Sequence, residues 1–144
     1  MIVLQYPSYP FKIKSIEGKD RVFDPFRKIW VLLTPEEWVR QNLLQYLVQV
    51  AKYPASLIAV EKEIKLGELA KRFDIVVYHD EKPWMIIECK EANVALNEKT
   101  MHQILQYQQV LTAQYLFISN GHETLGAKID SGKLQALQNF PEYL

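Results

Sequence analysis

Apolar and polar positions alternate from Phe11 to Ile16, break at Glu17–Asp20 and resume at Arg21–Phe23, which predicts an N-terminal β-hairpin. A short apolar run, Ile29 to Leu33, follows. Thr34, Pro35 and Glu37 then mark a helix start: a hydroxyl cap, a ring suited to the first helical position, and an acid three residues after the cap. Val39, Leu43, Tyr46, Leu47 and Val50 recur at helical spacing and extend the helix to about Lys52, where Tyr53-Pro54 stops it. Leu57 to Leu66 contains a strand, most apolar at Ile58–Val60, and Phe73–Tyr78 and Trp84–Lys90 are richer, β-branched strands. Leu96 to Thr112 predicts a second helix with Asn97 as its cap. Gln114–Ser119 predicts a final strand closed by Asn120-Gly121, and Lys133 to Gln138 one or two helical turns. The order helix–strand–strand–strand–helix–strand gives an α/β sandwich around a mixed central sheet flanked by helices. Helix 97–112 is the crossover that would let the Trp84–Lys90 strand and the last strand run parallel.

Candidate chemistry gathers on the two central strands. Alternation places Asp74, Val76 and Tyr78 on one face of the first, and Trp84, Ile86, Glu88 and Lys90 on one face of the second. A symmetric hairpin through the five-residue link His79–Pro83 would pair Tyr78 with Trp84, Val76 with Ile86, and Asp74 with Glu88. Opposed Cβ atoms lie about 4.5–5.5 Å apart. Two carboxylates at that spacing repel unless a positive charge sits between them. A divalent cation meets the need, with Lys90 one pleat further along. This is the constellation of a metal-dependent phosphodiesterase. Each residue also has a structural reading: Glu37 as the acid of a capping box, Glu88 and Lys90 as a solvated strand face. Aspartate is a poor strand former, so Asp74 favours function. His79, His102 and His122 show no metal-ligand spacing.

Composition narrows the field. A chain of 144 residues suits one domain, 1–144, with a core over about 30–121. Its 49% apolar and 24% charged residues are ordinary for a globular protein. No apolar run approaches a membrane span and no signal-like region opens the chain, so a cytoplasmic location is expected. The single cysteine, Cys89, excludes an internal disulfide and reads as a small buried residue. Seventeen basic and seventeen acidic residues cancel, so intrinsic nucleic-acid affinity should be modest and salt-sensitive. The charge is uneven: the first thirty residues carry Lys12, Lys14, Lys19, Arg21, Arg27 and Lys28 against Glu17, Asp20 and Asp24, and Lys62, Lys65, Lys71 and Arg72 precede Asp74. A solvated edge is the default reading of both groups.

An acid on the first helix (Glu37 or its neighbour Glu36), Asp74 opening a strand, and Glu88-Cys-Lys90 on the next together resemble the PD-(D/E)xK nuclease superfamily. Gln103 and Tyr107 in Gln-Ile-Leu-Gln-Tyr resemble the Gln-x-x-x-Tyr motif of its RecB-like and type I restriction branches. More narrowly, Phe23–Val31, Thr34–Gln41, the Asp74 strand, Ile87–Lys90 and Ser119–Gly121 resemble small proteins related to the N-terminal nuclease region of type I restriction enzyme R subunits. The resemblance spans about Phe11 to Gly121. It implies a restriction-endonuclease-like fold and an endonuclease acting on nucleic acid, DNA above all. Asp74, Glu88 and the backbone carbonyl of Cys89 would hold Mg²⁺, with Mn²⁺ as a substitute. Lys90 would orient the water or neutralise the scissile phosphate, Glu37 would complete the site, and Gln103 and Tyr107 would position substrate. It also implies a possible homodimer that cuts two strands, and a targeting or motor protein on a separate chain. A complete R subunit continues into a helicase-like motor where this chain ends, so translocation is not expected of it. The rival expectation is a module of the same fold that binds nucleic acid or a partner without cutting.

Overall fold

Two tight turns build an N-terminal antiparallel sheet from β1 (Ile13–Ile16), β2 (Lys19–Asp24) and β3 (Ile29–Leu32) in a computed structural model that describes residues 1–103 and 113–144. Glu17 and Gly18 take positive φ (53° and 77°), the two-residue turn whose twist matches paired strands. The expected hairpin is therefore present, and the apolar run after it adds a third strand. Asp24 makes the second turn: its Oδ1 accepts the N–H groups of Phe26 (2.7 Å) and Arg27 (3.0 Å).

Helix α1 (Pro35–Gln49) starts where the sequence places it, with Thr34 Oγ1 accepting the Glu37 N–H at 3.0 Å. Only half of the capping box forms, because the Glu37 carboxylate turns inward to two arginines. The helix closes at Gln49, short of the expected Lys52. Lys52 adopts a left-handed φ of 62°, and the Tyr53 N–H reaches back to the Leu47 carbonyl at 2.9 Å. Leu43, Leu44 and Leu47 are fully buried on the helix's inner face, each contributing roughly 1.5–3 kcal/mol.

The main sheet has six strands in sequence order: β4 (Ile58–Leu66), β5 (Leu69–His79), β6 (Lys82–Cys89), β7 (Tyr115–Ser119), β8 (Thr124–Asp130) and β9 (Lys133–Leu137). All neighbours are antiparallel except β6 and β7, which run parallel as the crossover required. The fold is thus α/β with a mixed sheet. One layer packs Ile75, Val77, Met85, Ile87 and Phe117 against α1, and the other gathers Phe73, Val76, Ile86, Leu116 and Ile118 with Leu96 and Met101. Burial on both faces explains why β5 to β7 read as continuous apolar runs. Residues 98–103 are helical, and Asn97 Oδ1 caps them by accepting the Thr100 N–H at 3.0 Å. The rest of that predicted helix lies outside the described residues. Among the described residues, no helix is long and apolar enough to cross a membrane.

Three expectations need correction. The β5–β6 link is the two-residue turn Asp80-Glu81, both at positive φ (51° and 64°), not a five-residue loop. A register shift between Val77 and Tyr78 then pairs Tyr78 with Pro83 and sends Trp84 into the α1 layer beside Tyr53; Val76↔Ile86 holds as expected. Lys133–Leu137 is a strand, not a helical turn, paired with β8 through the turn Ser131-Gly132. At Gly126, opposite Phe117 in the ladder, a Cβ would lie 2.1 Å from the Phe117 ring, so only glycine fits there without repacking.

Candidate active site

Asp74 and Glu88 sit just beyond the last pair of the β5–β6 ladder, Ile75↔Ile87. Strict alternation fails around Asp74. Phe73 and Val76 belong to one layer and Ile75 to the other, and the Asp74 carboxylate reaches α1 instead of sharing the Val76 face. Its Oδ1 accepts from Arg40 Nη2 at 2.9 Å, and its Oδ2 accepts the Cys89 backbone N–H at 2.8 Å. Those two bonds fix the carboxylate against the end of β6, beside Glu88.

Glu88 is the unsatisfied member of the pair. Its Oε1 is buried with no hydrogen-bond partner. Burial first, then proton sharing with Asp74 and its charge, push the Glu88 carboxyl up to about 9, against the pull of Lys71 and Lys90. At neutral pH, with nothing else present, Glu88 is protonated. Lys90 follows directly after β6; it is half-buried, and its backbone N–H donates to the Ser119 carbonyl at 2.8 Å. Burial and the charges of neighbouring carboxylates push the Cys89 thiol well up, so it is a neutral core group.

Arg40 was not anticipated from sequence, and it organises the acids. Its Nη1 donates to Glu37 Oε1 at 2.9 Å. Its Nη2 meets Asp74 Oδ1 and Glu61 Oε1, both at 2.9 Å, and Glu36 Oε1 at 3.6 Å. Burial opposes the charge of Arg40, but Glu37, Asp74 and Glu61 outweigh it and its pKa rises. Arg27 extends the network, joining Glu37 Oε1 (2.9 Å) to Asp24 Oδ2 (2.6 Å), and Gln41 Nε2 donates to Glu37 Oε2 at 3.2 Å. A signal was available: Arg40 sits among Val39, Leu43 and Leu44 on the inward stripe of α1, three residues after Glu37. A charged residue on a buried stripe needs a buried partner.

The two candidate acids of α1 are placed differently. Both oxygens of Glu37 are taken by Arg27, Arg40 and Gln41. Glu36 is about half exposed, and burial followed by the charge of Asp74 raises its pKa, with Arg40 and Lys90 opposing. Glu36 thus sits within the electrostatic reach of both Asp74 and Lys90. Gln103 is exposed in the helical segment 98–103; Tyr107 lies outside the described residues.

Six carboxylates (Asp24, Glu36, Glu37, Glu61, Asp74, Glu88) crowd against Arg27, Arg40, Lys71 and Lys90. Among the described residues, no group of three or more Asp, Glu, His or Cys side chains is arranged to hold a metal ion. Mg²⁺ needs only one or two carboxylates from a protein, the rest of its shell being water and phosphate. A bare buried Glu88 oxygen beside Asp74 fits that requirement: a cation there would relieve both the repulsion and the desolvation.

A family model described as type I restriction enzyme R protein N terminus matches residues 35–141. That stretch covers most of the chain and contains Arg40, Asp74, Glu88 and Lys90. No curated protein matches the chain. The chain belongs to the family of type I restriction enzyme R protein N-terminal regions.

Proposed function

We propose that this member of the R protein N-terminal family is a metal-dependent endonuclease of PD-(D/E)xK type, acting on DNA. The observation that carries the reading is the buried, unpartnered Glu88 oxygen beside Asp74, two residues from Lys90. Mg²⁺, or Mn²⁺ in its place, would be held by Asp74, Glu88 and the backbone carbonyl of Cys89, and supplies an activated water and charge neutralisation at the phosphate.

The chain's own residues do the rest. Arg40 and the Cys89 N–H hold the Asp74 carboxylate in one orientation, so it need not be ordered at the moment of reaction. Lys90, a compact cation on a flexible stem, stabilises negative charge on the attacked phosphate. Glu36, the α1 acid still open to solvent, can take a proton from the attacking water. Glu37 acts indirectly by holding Arg40 in place.

A second reading, a module that binds without cutting, draws on one fact: both Asp74 oxygens already accept a hydrogen bond. Cleavage separates the two. Supercoiled plasmid and single-stranded DNA are incubated with Mg²⁺ or Mn²⁺ and wild-type, Asp74→Ala or Lys90→Ala protein. Nicking that needs metal and vanishes in both folded variants supports the enzyme. Cleavage unaffected by both substitutions overturns it, and DNA binding without cleavage favours the module.

A further inference from the structure

The N-terminal sheet has two unlike faces. On the inner face Val22 and Asp24 are fully buried, and Asp24 enters the ion network that leads through Arg27 and Glu37 to Arg40 and Asp74. The ladder registers Lys14↔Arg21↔Leu32, Ile16↔Lys19 and Phe23↔Trp30 put their side chains together on the outer face, one residue out of phase with the inner set. Lys12 joins them, its Nζ lying 5.7 Å from the Phe23 ring centre.

That outer face carries Lys12, Lys14, Lys19 and Arg21 around the cross-strand pair Phe23–Trp30, whose ring centres are 5.4 Å apart. None of its ladder positions is acidic, although acids and bases balance over the whole chain. The three lysines are exposed, and Arg21, Phe23 and Trp30 are half-buried. Lys14 Nζ sits 4.0 Å from the Trp30 ring centre. None of the four cations makes an ion pair among the described residues. The partner such a face selects has a continuous line of negative charge and flat apolar faces at close intervals. An acidic peptide offers the first alone. A duplex hides the second inside its stack.

We propose that this face binds single-stranded nucleic acid, with Lys12, Lys14, Lys19 and Arg21 on phosphates and unpaired bases stacked on Trp30 and Phe23. The strand displaces Lys14 from the ring and moves it to a phosphate. The inference shares with the nuclease reading the class of ligand, and adds a docking surface joined to the site by the Asp24–Arg27–Glu37 link.

The test is fluorescence anisotropy with a labelled oligothymidylate and the matching duplex, in chelator so that no cleavage intrudes, using the full chain. Wild type is expected to bind the single strand more tightly than the duplex. The double variant Lys14→Glu/Arg21→Glu should bind about tenfold more weakly, with a salt dependence flattened by about 0.7 for each phosphate contact removed. Trp30→Ala should lose about tenfold with the salt dependence unchanged. Circular dichroism and thermal midpoints establish that the variants fold, and the exposed charge reversals keep the test open should Trp30→Ala not fold. Wild-type affinity in the folded charge variant, preference for duplex, or no binding by wild type overturns the proposal. Asp74→Ala should bind as wild type does. Loss of cleavage in that variant with binding intact separates the catalytic claim from this one.

Discussion

In chelator, replacing Glu88 by glutamine is expected to remove most of the protein's loss of stability between about pH 6 and pH 8. The Glu88 carboxyl, ordinarily near 4.5, is pushed up to about 9 in the folded protein, by burial first and Asp74 second. Between those values the folded state holds a proton that the unfolded state has released. Stability therefore falls as pH rises through this window, by about 1.4 kcal/mol for each pH unit and one proton. Two pH units then cost about 2–3 kcal/mol, a large share of the roughly 5–15 kcal/mol that holds a domain together. Glutamine keeps the shape and cannot titrate. Glu36, whose carboxyl is also raised by burial first and Asp74 second, acts in the same direction. Cys89 does not interfere below about pH 8, where a free thiol is still protonated. Urea unfolding at the two pH values, wild type against Glu88→Gln, reads the difference directly. Equal stability of wild type at both, or an undiminished loss in the variant, would refute the argument that burial and Asp74 hold Glu88 protonated.

Other consequences can be checked in parallel. Arg40→Met removes the partner shared by Glu37, Glu61 and Asp74; it should destabilise by about 3–5 kcal/mol near neutral pH, as read by urea titration. Gly126→Ala drives a methyl into the Phe117 ring, which itself stacks on Phe140 at 4.2 Å; a loss of about 1–3 kcal/mol is expected in the same assay, relieved in part by Phe117→Leu. Thr34→Ala deletes the hydroxyl that accepts the Glu37 N–H and should cost about 1 kcal/mol, measured by thermal unfolding with activity little changed.

Asp74, Glu88 and Lys90 were legible because strands with buried faces leave few reasons for charge, and three charged residues stood at their ends. The parallel β6–β7 pair followed from the crossover rule, and α1 from its cap. Arg40 escaped notice because amphipathic reading assigns charged residues to the solvent side. Only the three-dimensional meeting of α1 with β4 and β5 gives it Glu61 and Asp74. Strand β8 was hidden by Gly126, which weakens a strand signal yet is required by the close approach of Phe117. Lys133–Leu137 consists of good helix formers and becomes a strand only because β8 offers it a ladder. The Val76↔Ile86 pairing holds despite the shorter turn because the register shift falls between Val77 and Tyr78, on its turn side.

The carboxylate pair as a cation site is the claim on which the rest depends, and calorimetric titration of Mn²⁺ into chelator-stripped protein near neutral pH tests it most directly. One ion per chain should bind, with release of about one proton as Glu88 ionises, seen as an enthalpy that changes with the buffer. Asp74→Ala and Glu88→Gln should each abolish or greatly weaken that binding. Binding of undiminished strength in either variant, or no binding by wild type, would contradict the account.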